Sequence, residues 1–189
     1  MLLSDLLVDI EVLRLEGNPE IKLNGIEFDS RKLAPGYLFV ATTGTVVDGH
    51  DYIDAAIEKG ATAVVCERMP VKLCKDVTYA QVPDSAKALG YIASTWFGHP
   101  SEKLILVGVT GTNGKTTVAT LLYQLFKEIG YKAGLLSTVC NYVDDEVIEA
   151  THTTPDALTL NTLLHQMVDA GCQYAFMEVS SHAIEQRRI

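Results

Sequence analysis

The sequence predicts an α/β protein: a small N-terminal α/β domain, followed by the start of a second, mostly parallel sheet built around a phosphate-binding loop. Three features predict the class. Short apolar runs of strand length alternate with runs whose apolar residues recur at helical spacing, and glycine-containing turns punctuate them. The third feature is "LILVGVTGTNGKTTVATLL", Leu104–Leu122, which passes from an apolar strand through a glycine-rich loop into an apolar-faced helix.

The elements follow in order. "MLLSDLLVDIEVLRLEG" reads as an amphipathic helix rather than a signal peptide, since it lacks a basic start and Asp5, Asp9 and Glu11 interrupt the apolar run. Turn signals at Asn24-Gly25 and Pro35-Gly36 bracket short strands near Ile21–Leu23, Gly25–Phe28 and Tyr37–Ala41. "DYIDAAIEKG" places Ile53, Ala56 and Ile57 at helical spacing and ends in Gly60 as a C-cap. "ATAVVCE" is a buried strand. "PDSAKALGYIASTWFGHP" is a helix capped by Asp84 or Ser85, with Ala88, Leu89, Ile92 and Phe97 along one face. "GHPSEK", Gly98–Lys103, breaks it and marks the boundary between domain 1–99 and domain 100–189.

The second domain opens with the strand Leu104–Val109 and a helix from Lys115 to Ile129 closed by Gly130. "KAGLLSTV" is the next strand, "DDEV" an exposed turn, and Asp156 to Ala170 a helix with Leu160, Leu163, Leu164 and Met167 on one side. "YAFMEV" is a strand ending in an acid. This βαβαβ order predicts a doubly wound parallel sheet. The chain stops at Arg187-Arg188-Ile189, early in that sheet, and so reads as a piece of a longer protein.

Composition narrows the function. A net charge of -9 with no basic block argues against nucleic acid as a partner. No apolar run is long enough to span a bilayer, so a cytoplasmic protein without a membrane partner is expected. Cys66, Cys74, Cys140 and Cys172 form no C-x-x-C pair and read as buried free thiols in a reducing compartment.

The loop carries the chemistry. Gly114-Lys115-Thr116 completes the G-x-x-x-x-G-K-[ST] pattern, but Val109 stands where the first Gly belongs and Gly111 follows two residues later. Gly111 and Gly114 let the amides of Thr112, Asn113 and their neighbours approach phosphate oxygens, and the helix N-terminus at Lys115–Thr117 adds its dipole. Lys115 supplies a mobile positive charge for the β- and γ-phosphates, and the Thr116 hydroxyl is placed to ligate Mg²⁺. Glu178, at the end of its strand, falls where α/β sheets present ligands and reads as a second Mg²⁺ ligand. His182, four residues on, is a candidate for a second metal and for catalysis. His50, His99 and His165 read as polar surface groups. ATP and Mg²⁺ are thus the expected cofactors.

Four stretches together resemble a known family. "FDSRKLAPGYLFVATTGTVVDGHDYIDAAIEKGATAVV", "VGVTGTNGKTT", "HTTPD" and "EVSSHAIEQRR" occur in the order seen in the Mur ligases, and the Asp-Ser-Arg and Glu-Gln-Arg-Arg context is most similar to the branch that makes the UDP-muramoyl tripeptide. The resemblance runs from about Ile26 to the last residue. It implies an ATP-dependent ligase that joins an amino acid, meso-diaminopimelate or L-lysine, to the D-Glu carboxylate of UDP-MurNAc-L-Ala-D-Glu through an acyl phosphate, in peptidoglycan precursor synthesis. It also implies that Phe28, Ser30, Thr45, Val46 and Val47 contact the uridine end, making the first domain the UDP-binding part. His152, Thr153, Thr154, Ser180, Gln186 and Arg188 are implied to grip the muramoyl-peptide part, and His152 stands where some relatives have Asn. A carbamoylated lysine and a C-terminal domain are implied beyond position 189, so the chain alone is expected to be inactive. Two other readings fit parts of the sequence: a small-molecule P-loop kinase or NTPase, and a non-catalytic UDP-sugar-binding module.

Overall fold

The computed structural model describes residues 1–44, 47–150 and 154–189. Two compact units divide it, Met1–Trp96 and Phe97–Ile189, and each has its own five-stranded sheet.

In the first unit the strands β1 (Arg14–Glu16), β2 (Gly25–Glu27), β3 (Tyr37–Val40), β4 (Ala63–Cys66) and β5 (Thr78–Gln81) lie in the order β1-β5-β4-β3-β2. β2 to β5 are parallel, and β1 closes one edge antiparallel to β5. Period-two alternation sorts their side chains. Phe39, Ala41, Val64, Cys66 and Tyr79 pack with Ile53 and Ala56 of α2 (Ile53–Glu58). The opposite-facing Leu38, Val40, Val65 and Ala80 are equally buried. The remaining buried side chains of the unit lie largely on α1 (Leu3–Leu6) and α3 (Ser85–Trp96), which pack together. Asp84 caps α3, accepting the Lys87 amide at 2.8 Å.

The amphipathic N-terminal helix is the main departure from expectation. Only Leu3–Leu6 is helical, with Asp5 accepting the Leu2 amide at 2.9 Å. The chain then turns, and Arg14–Glu16 pairs with β5 instead. Leu3 and Leu6 already bury that short helix's apolar face, while Leu13 and Leu15 are exposed, so a longer helix would gain no further burial and the segment instead pairs its backbone with the edge of β5. The strand expected at Ile21–Leu23 is a single bridge from Leu2 to Lys22.

The second unit contains β6 (Ile105–Val109), β7 (Ala133–Leu136), β8 (Cys140–Val143), β9 (Glu146–Glu149) and β10 (Tyr174–Glu178), in the order β6-β10-β7-β8-β9. β10 is parallel to both β6 and β7. β8 and β9 are antiparallel, so the sheet is mixed rather than wholly parallel. The expected exposed turn at "DDEV" is the tip of the β8–β9 hairpin, where Asp144 adopts φ 52°. Tyr123 donates to the Asp144 carbonyl at 2.7 Å, and Lys127 pairs with Asp144 and Asp145. α4 (Lys115–Glu128) covers one face through Ala119, Tyr123 and Phe126 against Leu135 and Phe176. α5 (Ala157–Asp169) covers the other through Leu160, Leu163, Leu164 and Met167 against Leu136, Ala175 and Met177.

All four cysteines are free, but only Cys66 and Cys172 are buried. Cys74 is exposed in the connection between β4 and β5, and Cys140, the first residue of β8, is half-buried. No helix among the described residues is long and apolar enough to cross a membrane.

Candidate functional site

Parallel strands deliver their ligands at their carboxyl ends. In the second unit β6, β7 and β10 end together there. The Val179 amide donates to the Val109 carbonyl at 2.9 Å, which sets the end of β10 beside the start of the glycine-rich loop. Gly111 (φ 146°) and Gly114 (φ 81°) adopt backbone angles that L side chains rarely take. Gly114 is the N-cap of α4, so the loop feeds straight into the positive end of a long helix. Gly111 to Gly114 are exposed, leaving their amides open to a ligand. The Lys115 ammonium folds back to the Gly111 carbonyl at 2.8 Å.

Glu178 lies against this loop and is only 1% exposed. Its Oε1 accepts the Thr138 amide at 2.8 Å. Its Oε2 accepts the Thr116 hydroxyl at 3.0 Å and the Thr138 hydroxyl at 3.2 Å. Among the described residues no Lys or Arg pairs with it. A buried carboxylate surrounded by hydroxyls and lacking a counter-charge is an oxygen-donor set that fits a hard divalent cation such as Mg²⁺. Thr138 was not anticipated. Its position just past the carboxyl end of β7 was the available signal.

A second cluster extends from β10. The Thr154 hydroxyl donates to the Glu178 carbonyl at 2.9 Å and accepts the Ser180 amide at 3.2 Å. Ser180 caps α6 (Ser181–Glu185) by accepting the Ala183 amide at 3.1 Å. Arg188 donates to the Thr154 carbonyl at 3.0 Å, and Gln186 ends α6. The structure therefore gathers Thr154, Ser180 and Arg188 beside Glu178. Thr154 is 1% exposed, with its hydroxyl engaged internally, so it ties the cluster together. His182 stands exposed in the first turn of α6, with no hydrogen bond or ion pair to Glu178. Among the described residues no group of three or more His, Cys, Asp or Glu side chains could hold a metal. His152 and Thr153 lie outside the described residues.

The first unit has its own concavity, of about 400 Å³, lined by Phe28, Ser30, Arg31, Thr42, Val47 and Tyr52 among others. Phe28, Ser30 and Val47 thus share one cavity, whereas Thr45 and Val46 lie outside the described residues. Arg31 grips Asp29 through Nε at 2.9 Å and Nη2 at 2.7 Å, and this guanidinium holds the Asp29 carboxyl down at about 2. Aromatic rings, a hydroxyl and an anchored guanidinium form a surface suited to a base and a phosphate.

His50 does not behave as the surface group expected. Its side chain is 7% exposed and both ring nitrogens are engaged.

Comparison with known proteins finds one family in both units. The Mur ligase family, catalytic domain, matches residues 22–97, and the Mur ligase middle domain matches residues 109–189. A UDP-N-acetylmuramoyl-L-alanyl-D-glutamate–2,6-diaminopimelate ligase from Bacteroides fragilis is 58% identical over the whole chain, which spans 39% of that relative's length. A solved structure of a ligase of that name superposes over the whole chain, covering 37% of its own, with a TM-score of 0.78 and 26% identity. A MurF ligase from Thermotoga maritima in complex with ADP matches 81% of the chain and 31% of its own, with a TM-score of 0.53 and 27% identity.

Proposed function

The chain belongs to the Mur ligase family, and from this premise we propose that it supplies the UDP-binding and ATP-binding parts of a ligase acting on UDP-MurNAc-L-Ala-D-Glu. The amino acid joined to the D-Glu carboxylate is 2,6-diaminopimelate, the one in the names of the relatives more than half identical to the chain. The reaction proceeds through an acyl phosphate, because a carboxylate is a poor electrophile until it carries a good leaving group.

One observation carries the reading: a buried Glu178 hydrogen-bonded to the Thr116 hydroxyl at the base of a phosphate loop. The loop amides and the α4 N-terminus hold the phosphates, and Lys115 exchanges its Gly111 carbonyl for a phosphate oxygen. Thr116 and Glu178 would hold Mg²⁺, which neutralises charge on the transferred phosphoryl group when bound. Thr138 keeps the Glu178 carboxylate aimed at that position. Ser180 and Arg188 face the substrate's peptide end, where a guanidinium suits a carboxylate. Phe28, Ser30 and Val47 hold the uridine end in the first unit's cavity.

Calorimetric titration of the 189-residue chain tests this. UDP-MurNAc-L-Ala-D-Glu should bind, and Ser30→Ala should weaken it. Mg-ADP should bind, and Lys115→Ala should weaken it about tenfold or more, which is at least ~1.4 kcal/mol. A chain that binds Mg-ADP but ignores the UDP-dipeptide would be a small-molecule kinase or NTPase instead. Mixed with all three substrates, the chain alone should release no ligated product.

A further inference from the structure

The loop that walls the first unit's cavity is held from outside the cavity, and its buried holding point is His50. Thr42, Gly44, Val47 and Gly49 line the cavity. The loop's two arms meet at its base. The Gly49 amide donates to the Thr42 carbonyl at 2.9 Å, Thr43 bridges to Asp48, and the Gly44 amide donates to the Val47 carbonyl at 3.0 Å. These bonds shape the loop but attach it to nothing beyond itself. Two attachments reach further: the exposed Arg68 pairs with Asp48, and the buried ring of His50 is tied one residue further on. His50 Nδ1 lies 2.6 Å from Asp48 Oδ1, which also accepts the His50 amide at 3.0 Å. On the other side of the ring, His50 Nε2 accepts the Glu67 amide at 2.9 Å, just past the carboxyl end of β4. Glu67 continues the chain of contacts. Its carboxylate accepts the Ser85 amide at 2.9 Å and hydroxyl at 2.8 Å at the start of α3, and its carbonyl accepts from Gln81 at 3.0 Å.

These bonds fix the state of the ring. A backbone amide can only donate, so Nε2 must be bare, and the neutral ring then carries its proton on Nδ1, where it donates to the Asp48 carboxylate. Arg68 pairs with the other oxygen of Asp48. His50 itself faces a different cleft and does not line the cavity, so any influence on a ligand there passes through its neighbours, the loop before it and Tyr52 in the same 3-10 turn.

We propose that His50 is a positioning residue: as the neutral, Nδ1-protonated imidazole it ties the loop arms Thr42–Gly44 and Val47–Gly49 to the end of β4 and the start of α3, and so sets the cavity's affinity for a uridine nucleotide. The nucleotide part rests on the function proposed above. The tie itself does not.

The test uses UDP and the 189-residue chain carrying His50→Ala, His50→Asn or His50→Gln. Gln reaches far enough to present an acceptor to the Glu67 amide, whereas Asn reaches only Asp48. UDP affinity should fall about tenfold for Ala and Asn and stay within about threefold of wild type for Gln, as loss and retention of one buried acceptor imply. Hydrogen exchange at the Glu67 and Gly49 amides should rise in the same order, while β10 amides in the second unit stay protected in every variant. Nitrogen-15 NMR should show the His50 proton on Nδ1. A proton on Nε2, unchanged UDP affinity in His50→Ala, or Gln no better than Ala would each overturn the proposal. If the wild-type chain ignores UDP, the uridine reading fails. The loop tie is then judged by exchange at Glu67 and Gly49 alone, and equal exchange in wild type and His50→Ala would overturn it.

Discussion

Glu178 shows how one buried charge can be both tolerated and useful. Two threonine hydroxyls and one amide solvate it in place of water. The hydroxyls can rotate, so Glu178→Gln should fold normally while losing the negative charge. In the wild-type chain Mg²⁺ should strengthen ADP binding about tenfold, and in Glu178→Gln it should not, as calorimetry with and without the ion would read. Asp48 gives a prediction in pH. The His50 backbone amide, then the His50 ring and Arg68, lower its carboxyl from 3.8 to about 2. A carboxyl lowered on folding stabilises the protein above its unfolded value, and that contribution disappears as pH falls through the folded one. Melting temperature should therefore drop between about pH 4 and pH 2, and the drop should be shallower in Asp48→Asn. The loop residues were legible from sequence because Gly-Lys-Thr after an apolar strand has few other uses. Thr138 and His50 were not, since a lone Thr or His acquires its meaning from partners 40 and 17 positions away.

At the scale of elements, pattern and punctuation identified the main helices and the parallel strands other than β5, which was not anticipated between "ATAVVCE" and the helix at Ser85. Asp156 caps α5 by accepting the Thr159 amide at 2.8 Å, as an acid ahead of an apolar run should. What escaped was decided by pairing across distance. β1 is a strand because β5 offers it an edge. β8 and β9 form a hairpin around a turn clamped by Lys127 and Tyr123, neither adjacent in sequence. Gly134 on β7 shows how closely these layers fit. A Cβ there would run into the Met167 side chain of α5. Gly134→Ala should cost about 1–3 kcal/mol in urea unfolding, the usual range for overpacking a filled core. Met167→Ala in the same chain should recover part of the Gly134→Ala loss, since it vacates the contested space.

Over the whole molecule, two cores in one chain imply two separately addressable ligand responses. UDP should slow hydrogen exchange within Met1–Trp96 only, and Mg-ADP within Phe97–Ile189 only, measured peptide by peptide on the same sample. Protection spreading through both units with either ligand would contradict that division. The order of strands in the second sheet carries a consequence of its own. β10 sits between β6 and β7 yet is the last of the three to leave the ribosome. Until it arrives, the two earlier strands have a gap where their common neighbour belongs, and the phosphate loop has no acid beside it. Under the function proposed above, the loop and the acid that completes its Mg²⁺ position meet only when β10 inserts between its two older neighbours, so full competence waits on that one insertion.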